Sequence, residues 1–201
     1  MKLDFLEIGT SDFETLIQTC DNNKIGMSIE PVKYYFNKLP QKNNVQKLNI
    51  AISNENGECK VYYISDSNIK KYNLPWWIRG CNSINDYHPT VLKILDKMKY
   101  DISLFDFDIV KKMTLFELIK EYNIEEIKYL KIDTEGHDCL ILNKFIEDVI
   151  KNNFIEILPK KILFEANILT EKNLLTTTLN KLYNIGYELI KNDGNVLLRL
   201  K

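Results

Sequence analysis

Asp133, Glu135 and His137 occupy alternate positions of one short segment, Leu130-Lys131-Ile132-Asp133-Thr134-Glu135-Gly136-His137-Asp138. Two carboxylates and an imidazole this close in sequence can take a proton or orient a hydroxyl or amine, and Asp133 with Glu135 could hold a divalent cation. Leu130 and Ile132 read as a short buried strand, and Gly136 as the turn after it. An amphipathic helix follows, carrying Cys139, Leu142, Phe145, Ile146, Val149 and Ile150 on one face. In an open α/β sheet ligands bind beyond the carboxyl ends of the strands, which is where this turn would lie. Asp133 is therefore the first candidate for a base or an acceptor-orienting carboxylate. The competing reading makes Asp133 or Thr134 a helix N-cap. Glu135 would share the site, join a metal or pair with a surface lysine. His137 and His88 are the chain's two histidines. Their ordinary pKa of about 6.5 suits a base, against the plainer reading of structural histidines.

A second group of residues has the spacing of a nucleotide site. The apolar run from Leu3 to Ile8 ends at Gly9, and Ser11-Asp12-Phe13-Glu14 then reads as a capping box opening a helix. A strand, a glycine turn and a helix N-terminus bring free N–H groups to one point, which suits a carboxylate or phosphate. Gly9 is the expected backbone contact to a cofactor because it has no Cβ. Ser11 would face the same ligand or only cap its helix. A second strand, Ile25 to Ile29, ends in Glu30-Pro31, with Pro31 suited to the first position of a helix. Glu30 lies 21 positions after Gly9. An acid about 20 residues past the first glycine turn is where a ribose diol is held in βαβ nucleotide sites.

The remaining elements must carry these two groups. Val45 to Ser53 reads as a third strand around Leu48-Asn49-Ile50-Ala51-Ile52, and Cys59 to Ile64 as its hairpin partner across Asn54-Glu55-Asn56-Gly57. From about residue 65 to 108 periodicity is lost apart from a short helical stretch near Val91 to Met98. An insertion of this length is expected to act as a lid, and its aromatic content argues against disorder. Trp76, Trp77 and Tyr87 within it would form a stacking wall for an acceptor or cover apolar surface. Thr114 to Glu117 reads as another capping box, Lys161 to Glu165 as a fifth core strand, and Thr170 as the cap of a helix with Leu175, Leu179 and Leu182 inward. Asn192-Asp193-Gly194 between two apolar runs predicts a terminal hairpin. The alternation gives an α/β fold with a mostly parallel, doubly wound sheet in a single domain over residues 1–201.

The chain has 201 residues, 45% hydrophobic and 27% charged, with a formal net charge of -1. Acids interspersed with the lysines exclude an electrostatic nucleic-acid binder. No run is long enough to span a bilayer, and no signal-peptide pattern opens the chain, so the expectation is a cytoplasmic protein that does not use a membrane. Cys20, Cys59, Cys81 and Cys139 contain no Cys-x-x-Cys pair and read as free thiols. Nothing in the sequence specifies an oligomeric state.

Glu7-Ile8-Gly9-Thr10-Ser11, Ser28-Ile29-Glu30-Pro31, Ala51-Ile52-Ser53, Thr114-Leu115 and the Leu130 to Asp138 segment together resemble the FkbM-type S-adenosylmethionine-dependent methyltransferases, from Leu3 to Leu200. The resemblance implies a Rossmann-like, seven-stranded class I methyltransferase sheet with an antiparallel C-terminal hairpin. It also implies S-adenosylmethionine as cofactor, held by Glu7, Gly9, Ser11, Glu30, Pro31, Ala51, Ile52 and Asp133, with Ala51 and Ile52 on the adenine. The reaction it implies is methyl transfer to an oxygen or nitrogen of a small-molecule or glycan acceptor, most readily a sugar. Trp76, Trp77, Tyr87 and Glu135 are the acceptor-side candidates, and a divalent metal at Asp133 and Glu135 stays open. The first motif departs from the family's Asp-Ile-Gly-Ala-Asn-x-Gly: Glu7 replaces Asp, Thr10-Ser11 replace Ala-Asn, and Phe13 stands at the second glycine. Those departures motivate one alternative, a catalytically silent binding or assembly subunit. A nicotinamide-type oxidoreductase is the other, disfavoured because the later glycines of a pyrophosphate loop are absent.

Overall fold

The computed structural model describes all residues, 1–201. Its main layer is a seven-stranded sheet, ordered Tyr187–Asn192, Asn195–Leu200, Lys161–Glu165, Tyr129–Ile132, Phe5–Ile8, Gly26–Ile29 and Val45–Leu48. The last five run parallel to one another. Asn195–Leu200 is antiparallel to both its neighbours, so the sheet is mixed. The hairpin between the two C-terminal strands closes through Gly194 at φ +93, the left-handed turn the Asp-Gly pair anticipated. Phe5–Ile8 and Gly26–Ile29 are buried along their whole length. Full burial of this kind marks central parallel strands covered on both faces.

The helices Leu115–Glu121, Asp138–Lys151 and Lys172–Asn184 supply the apolar covering. Leu118, Leu142, Phe145, Ile146 and Leu182 join Leu6, Ile8, Leu130 and Ile132 in one buried cluster. Ile150, expected on the inner face, is 55% exposed in the last turn of its helix. No helix is long and apolar enough to cross a membrane. The four cysteines are free thiols.

Four sequence expectations are corrected. The capping box forms at Thr15 and Gln18, and the helix it opens is Leu16–Thr19. Ser11 and Glu14 instead take left-handed backbone, at φ 49 and φ 56. The expected third strand, Val45 to Ser53, breaks in two at Asn49. The Asn49 amide donates to the carbonyls of Glu30 (2.9 Å) and Pro31 (2.8 Å), holding the chain out of the ladder. Ala51–Ser53 then joins a separate four-stranded sheet with Asp106–Thr114, Gly57–Tyr63 and Ser83–Ile84. The expected hairpin does not form either, because Asp106–Thr114 lies between Ala51–Ser53 and Gly57–Tyr63 and pairs with both. Thr170 does not cap its helix; Glu171 occupies the N-cap and the Thr170 hydroxyl has no partner.

The insertion is more ordered than its sequence suggests. It contains the helices Asp66–Lys71 and Pro89–Lys97, short 3-10 turns at Trp76–Gly80 and Ile102–Leu104, and the strand Ser83–Ile84. Its own core gathers Ile64, Ile69, Leu74, Ile78, Val91, Leu95 and Leu104. The helix Pro89–Lys97 starts at a proline, whose fixed φ suits the first helical turn. Phe13 is one of the insertion's contacts with the body. Arg79 stacks over its ring at 4.8 Å and Trp76 meets it edge-on at 6.2 Å. The Arg79 guanidinium also reaches the Asp12 carboxylate at 2.5 Å.

Candidate active site

The crevice lies beyond the carboxyl ends of Phe5–Ile8, Gly26–Ile29 and Tyr129–Ile132. It spans about 550 Å³ counted out into the solvent at its open mouth. Gly9, Ser11, Glu30, Pro31, Ala51, Ile52, Asp133, Glu135 and His137 all line it. Two segments that the sequence separates widely thus meet at one cavity.

Gly9 owes its lack of a side chain to the protein itself. With φ +79, a Cβ on Gly9 would lie 1.9 Å from the Asp133 carbonyl oxygen. The glycine lets two adjacent strand ends close together, which brings both halves of the site to one floor. On the opposite side Glu30 is 2% exposed. One of its oxygens accepts from Val32 N at 2.8 Å; the other accepts from Ser11 N at 2.5 Å and the Thr10 hydroxyl at 3.5 Å. Burial pushes its pKa up to about 7 against the pull of these donors. Ser11 turns its backbone N–H to Glu30, and its hydroxyl is buried with no partner.

Glu7 is placed elsewhere than expected. It is 0% exposed and absent from the crevice lining. Its oxygens accept from Leu16 N at 2.9 and 3.0 Å, and Lys131 reaches it at 3.0 Å. The carboxylate braces a helix N-terminus beneath the site, where the backbone dipoles favour an anion. Burial raises its pKa, with Lys131 opposing.

Asp133 does not cap the helix. The N-cap is His137, which makes no side-chain cap bond, and Asp138, the first residue of the helix, is fully buried. Asp138 accepts from Thr134 N at 2.9 Å, from the Thr134 hydroxyl, and from Glu165 N at 2.8 Å. One side chain thereby ties the Asp133 turn to the neighbouring strand end. Burial raises the Asp138 pKa to about 6. Asp133 itself lines the crevice, and burial raises its pKa, with Glu135 adding to the rise and Lys131 opposing. Glu135 sits at φ 54, a left-handed conformation rarely taken by a non-glycine residue, and aims its carboxylate at His88 Nε2, 3.0 Å away.

Glu165 belongs to the same place, and the sequence reading missed it. It ends the strand Lys161–Glu165, and its carboxylate lies within 4.8 Å of those of Asp133 and Glu135. Burial first, then Glu135 and Asp133, push its pKa up to about 7. The rule that singled out Asp133, an acid at the carboxyl end of a core strand, applies equally to Glu165. Asn82, Ser83 and Ile84 of the insertion also line the crevice, and no motif marked them.

The two histidines diverge. His137 lies on the crevice with Nε2 at 3.0 Å from the Ser53 hydroxyl, and burial with the nearby Lys112 holds its pKa down. His88 is 2% exposed, at the start of the helix Pro89–Lys97. The expected aromatic wall is not on the crevice. Trp76 is 65% exposed and leans on Phe13, while Tyr87 stacks between Tyr62 (4.5 Å) and Phe105 (4.7 Å). The 3-10 turn Trp76–Gly80 points its indoles outward and offers Gly80 to the cavity instead.

A family model described as the Methyltransferase FkbM domain matches residues 6–188 of this chain. No curated protein sequence matches it. Among solved structures, the chain is similar to a ribosomal protein L11 methylase from Lactobacillus delbrueckii subsp. bulgaricus, at 8% identity and a TM-score of 0.39. That likeness covers 100% of this chain and 72% of the other. At that level it fixes neither substrate nor mechanism. The oxidoreductase alternative finds no support in the family match.

Proposed function

The chain belongs to the FkbM methyltransferase family, and from its crevice we propose that it transfers the methyl group of S-adenosylmethionine to an oxygen or nitrogen of a small polar acceptor, a sugar or glycan-related compound. The observation that carries this reading is the pairing of a buried acid, Glu30, with the Asp133 carboxylate across one cavity. The residues fit the cofactor. Glu30 has an oxygen with a single donor, Ser11 offers a buried hydroxyl with no partner, and Ile29, Ala51 and Ile52 give an apolar wall for a flat base.

When bound, S-adenosylmethionine supplies an electrophilic methyl carried on a sulfonium. The chain's own residues do the rest. Glu30 accepts the hydroxyls of a ribose diol, and Gly9 keeps the floor open. Asp133 faces the acceptor and takes its proton, and its raised pKa makes it a better base than an ordinary aspartate. Orienting donor and acceptor at contact distance contributes several kcal/mol through effective molarity. Asp138 positions this turn relative to Glu165. His137, held by Ser53, borders the same space and serves as a secondary proton acceptor. The insertion, braced at Phe13 and Arg79, contributes Gly80, Asn82, Ser83 and Ile84 to the crevice wall.

One observation favours a second reading. Both Glu30 oxygens already accept backbone N–H groups, as they would in a subunit that keeps the fold without the chemistry. Two measurements separate the readings. Titration calorimetry with S-adenosylhomocysteine should give one site per chain, and radiolabelled methyl should pass to members of a panel of hydroxyl and amino sugars. Binding without transfer to any acceptor supports the silent subunit; absence of binding by folded protein overturns the proposal.

A further inference from the structure

Cys81, His88 and Glu135 each bring a metal-ligating atom to one point, within 4.8 Å of one another. They come from three places: the end of a 3-10 turn, the start of the helix Pro89–Lys97, and the left-handed turn after Tyr129–Ile132. No linear signature marks the set, since Cys81 and His88 are seven positions apart and Glu135 lies far downstream. We propose that these three side chains bind a divalent transition metal of the zinc class.

The donor set argues for that class. One thiolate, one imidazole and one carboxylate form a mixed soft and hard group that suits zinc, whereas magnesium and calcium take oxygen alone. Ligand atoms of a tetrahedral zinc lie about 3.3–3.8 Å apart. The His88 ring and the Glu135 carboxylate already meet, Nε2 to Oε2 at 3.0 Å, so the two side chains need little movement to share a metal. Three protein ligands leave a fourth position, as in zinc sites that keep a water or substrate, and the Asp133 and Glu165 carboxylates lie within 4.8 Å of that of Glu135.

Two further observations set the group apart from ordinary core. The His88 ring is 2% exposed, yet its Nδ1 has no hydrogen-bond partner. A buried imidazole with one nitrogen unmet is costly unless something else satisfies it. The buried Cys81 sulfur lies within 4.8 Å of the Glu135 carboxylate, and a cation between them would offset that negative charge. A metal here would also fasten the insertion, through Cys81 and His88, to the crevice, through Glu135. The site stands whether or not the chain transfers methyl groups, because metal binding is read without turnover.

The test titrates chelator-treated full-length protein with cobalt(II) and then zinc. One equivalent of cobalt should give a thiolate-to-metal charge-transfer band, and zinc should displace it. Cys81→Ser should abolish the band, and His88→Ala should weaken binding at least tenfold, while Cys59→Ser leaves both unchanged. X-ray absorption of zinc-loaded wild type needs no variant: it should show one sulfur at about 2.3 Å beside nitrogen and oxygen at about 2.0–2.2 Å. An oxygen and nitrogen shell without sulfur, or a charge-transfer band that survives in folded Cys81→Ser, overturns the proposal.

Discussion

Glu30→Gln removes the charge of the buried acid on the crevice wall while keeping its size. In the wild type one oxygen accepts from Val32 N and the other from Ser11 N and Thr10. The amide nitrogen of glutamine must face one of those N–H groups as a second donor, and the charge that strengthens the bonds to a ribose diol is gone. Hydrogen bonds to a charged group contribute roughly 1.5–3 kcal/mol. Affinity for S-adenosylmethionine should therefore fall roughly ten- to hundredfold, at about 1.4 kcal/mol per tenfold. The pH dependence gives a second readout. The folded pKa is raised from 4.5 to about 7, so the stability Glu30 contributes is fully present below the unfolded value and is lost as pH rises through the folded one. At 1.36 kcal/mol per unit this amounts to roughly 3 kcal/mol across the window. Cofactor binding runs the other way, because the diol donates to the ionised form. Wild-type affinity should fall about tenfold from about pH 8 to about pH 6. Calorimetric titrations across that range, with denaturation curves at the same pH values, follow both trends. If Glu30→Gln binds S-adenosylmethionine as tightly as wild type at about pH 8, or wild-type affinity does not change with pH, Glu30 is not the diol's partner.

Three further substitutions probe the other parts of the site. Asp133→Asn should leave cofactor affinity within a fewfold of wild type and lower kcat roughly 10²–10⁴-fold; unchanged turnover in a methyl-transfer assay would remove Asp133 from the chemistry. Asp138→Ala strips the acceptors from Thr134 N and Glu165 N, both inside the protein. It should cost roughly 3 kcal/mol in urea unfolding, and a loss under about 1 kcal/mol would mean the turn holds without it. Gly9→Ala drives a Cβ to 1.9 Å from the Asp133 carbonyl at φ +79. It should cost roughly 2–5 kcal/mol and abolish cofactor binding, whereas a stable variant that still binds would show the strand ends can separate freely.

The α/β alternation and the terminal hairpin could be read from periodicity, because the parallel strands are continuous apolar runs and Asp193-Gly194 favours one turn. Crevice residues at strand ends were equally legible: Gly9, Glu30 and Asp133 follow from glycine placement and spacing. What escaped depended on tertiary choices. The break at Asn49 is made by a side-chain amide bonding two distant carbonyls, and no propensity scale carries that. Ser11-to-Glu14 and Thr15-to-Gln18 offer the same local chemistry, and only the latter is compatible with the Glu30 carboxylate drawing Ser11 N into the crevice. Trp76 and Trp77 read equally as a stacking wall or a cover over apolar surface because aromatic content says nothing of direction, and the 3-10 turn sends them outward. Phe13 was read as a degenerate motif position; it is the surface on which Arg79 and Trp76 seat the insertion.

The most direct measurement is a crystal structure of the chain grown with S-adenosylhomocysteine. The expected result is a nucleoside in the crevice with its ribose hydroxyls within hydrogen-bond reach of Glu30, its base against Ala51 and Ile52, and its sulfur turned toward Asp133. A nucleoside seated anywhere else, or a crevice that stays filled by the protein's own side chains at saturating ligand, would contradict it.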